Sequence, residues 1–296
     1  MRCRQFGAEG PPIGSAERKP EWPAGPRSVD NEPMPLTARR ASTTDRVRGG
    51  VVAVLAVVQL VVAGLGGSGA LGESVGVVAR AYPSPVLPAG WTFAIWAPIY
   101  LAFLGYAGYQ LLPAQQSRAV HRATGWWLAA SAALNAAWIL AFSARFVLLA
   151  ELLLVGLLVV LARVFGRLSH ERAAGTAERV ALRFPVALYT GWVSLALVAG
   201  TAATGVRLGL PGDGALATIA AMLMLMVAAA IVASVATFGT AVVGYAVSAV
   251  WALIGIALNG PPAAVGVTAA VATVVVLFAT ARRVSTSGDP RRAAWG

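Results

Sequence analysis

The sequence contains eight apolar blocks, each close to the length that crosses a lipid bilayer. The blocks run over residues 50–66, 91–112, 124–142, 146–165, 183–204, 215–234, 237–258 and 262–281. About 20 apolar residues span the hydrocarbon layer as a helix, which pairs all of its backbone polar groups internally. We therefore predict an all-α polytopic transmembrane helical bundle of about eight spans. The count falls to seven if SVATFGT, between the sixth and seventh blocks, is not a turn.

The low charge content and the placement of arginine agree with a membrane protein. Only 12% of residues are charged, against about 25% in soluble domains. After residue 34, fifteen arginines fall on one side of the eight-span topology, and only Arg80, Arg145 and Arg207 fall on the other. Arginine-rich short loops stay in the cytoplasm, so we predict a multi-pass cell-membrane protein with cytoplasmic N- and C-termini. The net charge of +11 does not predict nucleic-acid binding, because the arginines do not interleave with aromatic residues on a polar domain.

Composition divides the chain into four segments. Residues 1–48 are polar and lack hydrophobic periodicity, which predicts a disordered cytoplasmic tail, with Met34 as an alternative start. Residues 49–205 are predicted to form a five-helix membrane unit that holds six of the nine tryptophans. Residues 206–282 are predicted to form a three-helix membrane extension, and residues 283–296 a cytoplasmic tail.

The second block places a stripe of aromatic side chains on one helix face. The stripe consists of Phe93, Trp96, Tyr100, Phe103 and Tyr106, which are three or four residues apart. Two interpretations of the stripe stay open, packing against other helices or the wall of a ligand pocket. Trp91 precedes it and is typical of an anchor at the membrane edge. A shorter pair, Tyr189 and Trp192, shares one face of the fifth block.

Polar side chains inside the third and fourth blocks are further candidates for a site. Asn135 lies deep in the third block and shares a face with Trp138, so it bonds either a neighbouring helix or a ligand. Glu151 lies ~8 Å from the outer end of the fourth block, where a functional role and simple solvation both account for it. Arg145 is its candidate partner in an ion pair at the rim.

Four groups of these residues, taken in order, resemble the motifs of the tryptophan-rich sensory protein family, also called the TspO/MBR or translocator protein family. The family motifs are a proline-rich loop followed by Trp-x-Phe, Trp and Tyr; Leu-Asn-x-x-Trp and Phe; an acid before a leucine run; and Tyr-x-x-Trp-Val-x-Phe-Ala. The matching residues are Pro85, Pro88, Trp91, Phe93, Trp96 and Tyr100, then Leu134, Asn135, Trp138 and Phe142, then Glu151 to Leu154, then Tyr189, Trp192, Val193, Leu195 and Ala196. The resemblance covers about residues 50–204, and the chain continues for about three spans beyond a typical member.

The resemblance implies a five-helix bundle that binds tetrapyrroles such as protoporphyrin IX, or sterol-like molecules, under the loop at 67–90. Carried over, the ligand-binding residues are Trp96, Tyr100, Asn135, Trp138, Tyr189 and Trp192, and the rim residues are Trp91, Arg145 and Glu151. Flat conjugated ligands suit stacking on tryptophan and tyrosine. We expect no metal site and no required cofactor, so a porphyrin would be bound as a ligand.

The sequence thus predicts an integral membrane protein that binds or senses a hydrophobic, aromatic ligand. A secondary transporter of a small hydrophobic solute is the alternative, although neither an inverted repeat nor paired intramembrane charges are apparent. The spans contain no Ser-His-Asp set, metal cluster or paired carboxylates, so no catalytic residue is assigned. The three added helices are expected to cap the bundle, supply a homodimer face or complete a channel.

Overall fold

The computed structural model describes residues 41–296, and this part of the chain is helical without any strand. Its eight long helices are α1 Thr43–Ser68, α2 Gly90–Leu111, α3 Ala119–Ser143, α4 Val147–His170, α5 Thr176–Arg207, α6 Gly214–Phe238, α7 Val242–Ala257 and α8 Ala263–Thr286. Seven of them are long and apolar enough to cross a membrane, and α7 is shorter. The predicted polytopic all-α bundle is therefore confirmed. The predicted tail over residues 1–40 and the alternative start at Met34 lie outside the described residues.

Helix α1 begins at Thr43, earlier than the predicted start at residue 50. The Ser42 hydroxyl accepts a hydrogen bond from the Asp45 backbone N–H, and the Asp45 carboxylate accepts one from the Ser42 N–H. This capping box satisfies backbone donors that would otherwise stay unpaired at the helix start. Polar residues that hydropathy assigns to the tail therefore belong to the first helix.

Helices α6 and α7 are separated by a turn, as the eight-block interpretation requires. Helix α6 ends at Phe238, and α7 begins at Val242. Between them Ala241 has a φ of 57°, in the left-handed region. Helix α7, within the predicted block at 237–258, thus has only 16 residues, about 24 Å at the usual helical rise.

The first five helices form a ring in the spatial order α1–α2–α5–α4–α3. Helix α7 packs along the outside of α5 and also contacts the first turn of α2, while α8 packs on α7, and α6 packs on α8. The described residues form one compact unit. The division of the membrane region at residue 205 stays a prediction.

The predicted C-terminal tail is partly helical. Helix α8 continues to Thr286, and a short helix, Pro290–Trp295, follows it. The Arg179 guanidinium donates to the Gly296 carbonyl at 2.7 Å, and Ala293 and Ala294 are buried. The end of the chain is therefore packed against the start of α5.

Two buried acids hold the arginine-rich end of the bundle together. Asp45 pairs with Arg48 at 2.7 Å and with Arg122 at 2.6 Å, which joins α1 to α3. Glu178 at the start of α5 pairs with Arg118 at 2.6 Å and with Arg183 at 2.9 Å. The starts of α1, α3 and α5 therefore lie at the same end.

Candidate functional site

Trp96 lies at the centre of an aromatic cluster that joins α2, α3 and α5. Its ring stacks on Tyr100 with the ring centroids 5.3 Å apart and contacts Trp138 at 5.5 Å. The Tyr189 and Trp192 rings each lie 5.9 Å from it in nearly perpendicular orientations. All five side chains are buried. We call these five residues the aromatic cluster.

Several polar atoms around the aromatic cluster are buried without a hydrogen-bond partner in the described part of the chain. The Tyr100 hydroxyl donates to Asn135 Oδ1 at 3.1 Å, but Asn135 Nδ2 has no partner. Trp192 Nε1 is likewise unpaired, and the Tyr189 hydroxyl lies near the Gln59 side chain of α1 without a hydrogen bond of regular geometry. A buried polar group without a hydrogen-bond partner lowers the stability of the fold by about 1–3 kcal/mol. A ligand that reached these atoms and supplied partners would therefore bind more tightly.

A small cavity adjoins the aromatic cluster, between α3, α4, α5, α7 and the loop over residues 69–89, which we call the lid. Trp96, Trp138 and Trp192 line it from three helices, the lid contributes Val75, and α7 contributes Ile256. The cavity is partly open to the outside, and its free volume of about 50 Å³ has room for a few water molecules. A larger ligand therefore enters only if the lid or the side chains move.

A second, more open cleft of about 330 Å³ lies between α1, α2, α3 and the lid. Four side chains line both the cleft and the cavity and lie between the two spaces, namely those of Val75, Phe93, Trp96 and Trp138. Tyr100 and Arg80 also line the cleft. The Arg80 guanidinium forms no ion pair among the described residues, so it is available to an anionic group.

The predicted ligand-binding residues thus divide between the two spaces. Trp96, Trp138 and Trp192 line the cavity, and Tyr100 lines the cleft. Asn135 and Tyr189 line neither space and belong to the packed interior behind the tryptophans, where Asn135 accepts the Tyr100 hydrogen bond. Whether these residues contact a ligand stays a prediction.

The predicted rim pair between Arg145 and Glu151 is wrong. Arg145 instead donates from Nε and Nη2 to the two Glu73 carboxylate oxygens at 2.6 and 2.7 Å. These hydrogen bonds hold the pKa of the Glu73 carboxyl below its usual range. Glu151 lines the cavity, and the third rim residue, Trp91, is exposed and lies against Trp251 with ring centroids 4.9 Å apart.

Helix α7 holds the end of the lid and the first turn of α2. The Ala89 N–H donates to the Gly255 carbonyl at 3.0 Å, and the Trp251 Nε1–H donates to the Thr92 carbonyl at 2.8 Å. Gly255 makes a close approach to the Thr92 side chain, where a Cβ would overlap it. Asn259, just beyond α7, donates to the Leu87 carbonyl at 3.0 Å. The added helices therefore contribute directly to the lid and the cavity.

Sequence reasoning missed three residues around this site, one in α1 and two in α7. Gln59 is fully buried and is the only polar side chain in the first apolar block, which was the available signal. Ala252 and Ile256 of α7 line the cavity, but their sequence positions carry no signal, because alanine and isoleucine are ordinary in any membrane helix. Their role depends on which helix α7 packs against.

The fold and the aromatic cluster define a polytopic helical membrane protein with an aromatic-lined interior. A family model described as TSPO-like protein matches residues 50–282. The chain belongs to this TSPO-like family, and the match includes the three added helices. No curated protein and no solved structure matches the chain at a significant level.

Proposed function

We propose that the protein binds a flat hydrophobic ligand, such as a tetrapyrrole, beside the aromatic cluster. One observation carries the proposal: tryptophans from three different helices meet at one cavity under the lid. Aromatic faces and apolar walls suit a conjugated ring system, and the unpaired Trp192 Nε1 offers it a hydrogen bond. Arg80 in the neighbouring cleft is the available cation for a ligand carboxylate.

Binding requires the lid to open, because the cavity of about 50 Å³ holds only a few water molecules. The Glu73–Arg145 pair fixes one end of the lid, and the hydrogen bond from Ala89 to Gly255 fixes the other. The exposed pair is the weaker attachment, since solvent screens such pairs. The Glu73 N–H also donates to the Ser143 carbonyl at 3.1 Å, so opening the lid at this end breaks both contacts, and the lid then closes over the bound ligand.

Titration of the full chain in nanodiscs with protoporphyrin IX tests the proposal. We expect saturable quenching of tryptophan fluorescence, because the porphyrin would lie against Trp138 and Trp192. Replacing Trp138 or Trp192 with leucine should weaken binding about tenfold, since each removes a stacking surface and its buried area. The measurement is the dissociation constant from the quenching curve, corrected with empty nanodiscs.

Trp126→Phe is the matched control. Trp126 lies on the same helix as Trp138 but is 47% exposed on the outside of the bundle. Its replacement should leave the dissociation constant unchanged. Quenching that does not saturate, or that is equal in all variants, would contradict binding at the aromatic cluster.

The alternative function, a secondary transporter of a small hydrophobic solute, draws support from the Glu151 carboxyl at the cavity wall. Uptake into proteoliposomes driven by an ion gradient, and its loss in Glu151→Gln, would favour transport over binding alone.

The protein is a multi-pass membrane protein by its family and its apolar helices. We further propose the cell membrane as its location, with both termini in the cytoplasm. The arginine asymmetry supports this orientation, and the ion pairs that gather the starts of α1, α3 and α5 at one end agree with it.

A further inference from the structure

Glu151 is the single charged side chain among the residues that line the cavity. Every other lining side chain is aliphatic or aromatic, or belongs to glycine or proline. Glu151 lies about one turn into α4, at the same end of the bundle as the lid. A carboxylate placed in an apolar wall is costly unless a cation or several hydrogen-bond donors accompany it.

The protein provides little compensation for this carboxylate. The Thr201 hydroxyl lies 2.6 Å from Glu151 Oε1 and is the one hydrogen-bond partner that the described residues supply. The Leu197 carbonyl, 2.9 Å from the same hydroxyl, competes for its single proton. Glu151 takes part in none of the ion pairs of residues 41–296, and Arg145 is already bound to Glu73. An ionised carboxylate accepts about four hydrogen bonds, so most of its capacity is unused.

The backbone beside Glu151 leaves room for the carboxyl group. Gly200 of α5 faces Glu151 Oε2 so closely that a Cβ at this position would overlap it. Helix α5 therefore approaches the acid without covering its second oxygen by a side chain. The arrangement keeps an acceptor oxygen at the cavity wall, about one turn from the start of α4.

We propose that Glu151 binds the protonated amine of a ligand whose flat apolar body contacts Trp138 and Trp192. The inference rests on the proposed function and adds a charge preference to it. The protonated amine supplies the positive charge and the hydrogen-bond donors that the Glu151 carboxylate lacks. Its position, about one turn from the start of α4, is close to the lid. The Glu151 carboxylate repels an anionic group in the cavity. The carboxylates of a ligand therefore lie in the cleft, next to Arg80.

Three naphthalene probes with the same ring and different charge test the inference by calorimetry. The full chain in nanodiscs of zwitterionic lipid is titrated with 2-(aminomethyl)naphthalene, 2-naphthalenemethanol and 2-naphthoate, with empty nanodiscs as the blank. We expect the amine to bind about tenfold more tightly than the alcohol, because its hydrogen bond to the carboxylate is charge-assisted. The carboxylate probe should bind most weakly.

Glu151→Gln should abolish the preference for the amine, so that the ratio of the dissociation constants of the alcohol and the amine falls from about ten to about one. Gly200→Ala should also weaken the amine more than the alcohol, because the added methyl group displaces the carboxyl. Glu171→Gln, an exposed acid outside the cavity, is the matched control and should keep the preference.

The inference is overturned if the amine fails to bind, binds no more tightly than the alcohol, or keeps its preference in Glu151→Gln. Protoporphyrin IX quenching on the same samples separates the two claims. Saturable quenching without an amine preference removes only the role of Glu151, whereas absent quenching contradicts the proposed function itself.

Discussion

We expect Glu178→Gln to lower the free energy of unfolding by about 3 kcal/mol, a large share of the stability of a typical domain. Glu178 is only 2% exposed and pairs with Arg183, which is 1% exposed, and with the more accessible Arg118. The substitution keeps the shape of the side chain and removes its charge. It leaves the Arg183 guanidinium buried without a counter-charge, and breaking a buried pair from one side is costly for this reason.

Unfolding by sodium dodecyl sulfate from mild detergent micelles, followed by circular dichroism, measures the effect. Glu171→Gln removes an exposed acid from the nearby loop and should change the free energy of unfolding little. Replacing both buried partners, Glu178→Gln with Arg183→Met, should recover part of the loss, because the unpaired charge that remains is then the more accessible Arg118 and not the buried Arg183. Equal stability of Glu178→Gln and Glu171→Gln would show that the buried pair does not hold the arginine-rich end.

Gly191→Val should have a comparable effect through the contact between α5 and α7. Gly191 faces the Tyr245 backbone carbonyl and the Ser248 hydroxyl, and a Cβ there would overlap both. Backbone atoms cannot move aside as a flexible side chain does, so α7 must separate from α5. We expect a loss of about 3 kcal/mol in unfolding experiments and weaker porphyrin quenching, because α7 also lines the cavity.

Gly108→Val in α2 is the matched control, since it places the same β-branched residue in a helix where no atom lies close to the new Cβ. It reports the cost of valine in a helix without the helix–helix clash. If Gly191→Val and Gly108→Val behave alike, α7 does not pack on α5 in the way described.

The arrangement within single helices could be predicted from the sequence. The apolar blocks predicted the eight long helices but not their ends, and the spacing of Trp96 and Tyr100 placed them on one buried face. The family resemblance, and not the spacing, predicted that Trp96, Trp138 and Trp192 line one cavity. Periodicity defines the face of a helix but not the helix that this face meets.

Long-range partners were the part that the sequence did not reveal. Arg145 precedes Glu151 closely in the chain, yet it pairs with Glu73, because the turn before α4 lies against the lid. Trp251 donates to the Thr92 carbonyl across 159 positions of sequence. Such contacts depend on how α7 and the lid pack, and no local pattern encodes them.

Photoaffinity labelling with a diazirine derivative of protoporphyrin IX tests the central claim most directly. Labelled peptides are identified by mass spectrometry, with and without excess unlabelled porphyrin. The account predicts labels next to Trp96, Trp138 and Trp192 that the unlabelled porphyrin suppresses. Labels confined to lipid-facing residues of α6 and α8, unaffected by competition, would contradict a ligand site at the aromatic cluster.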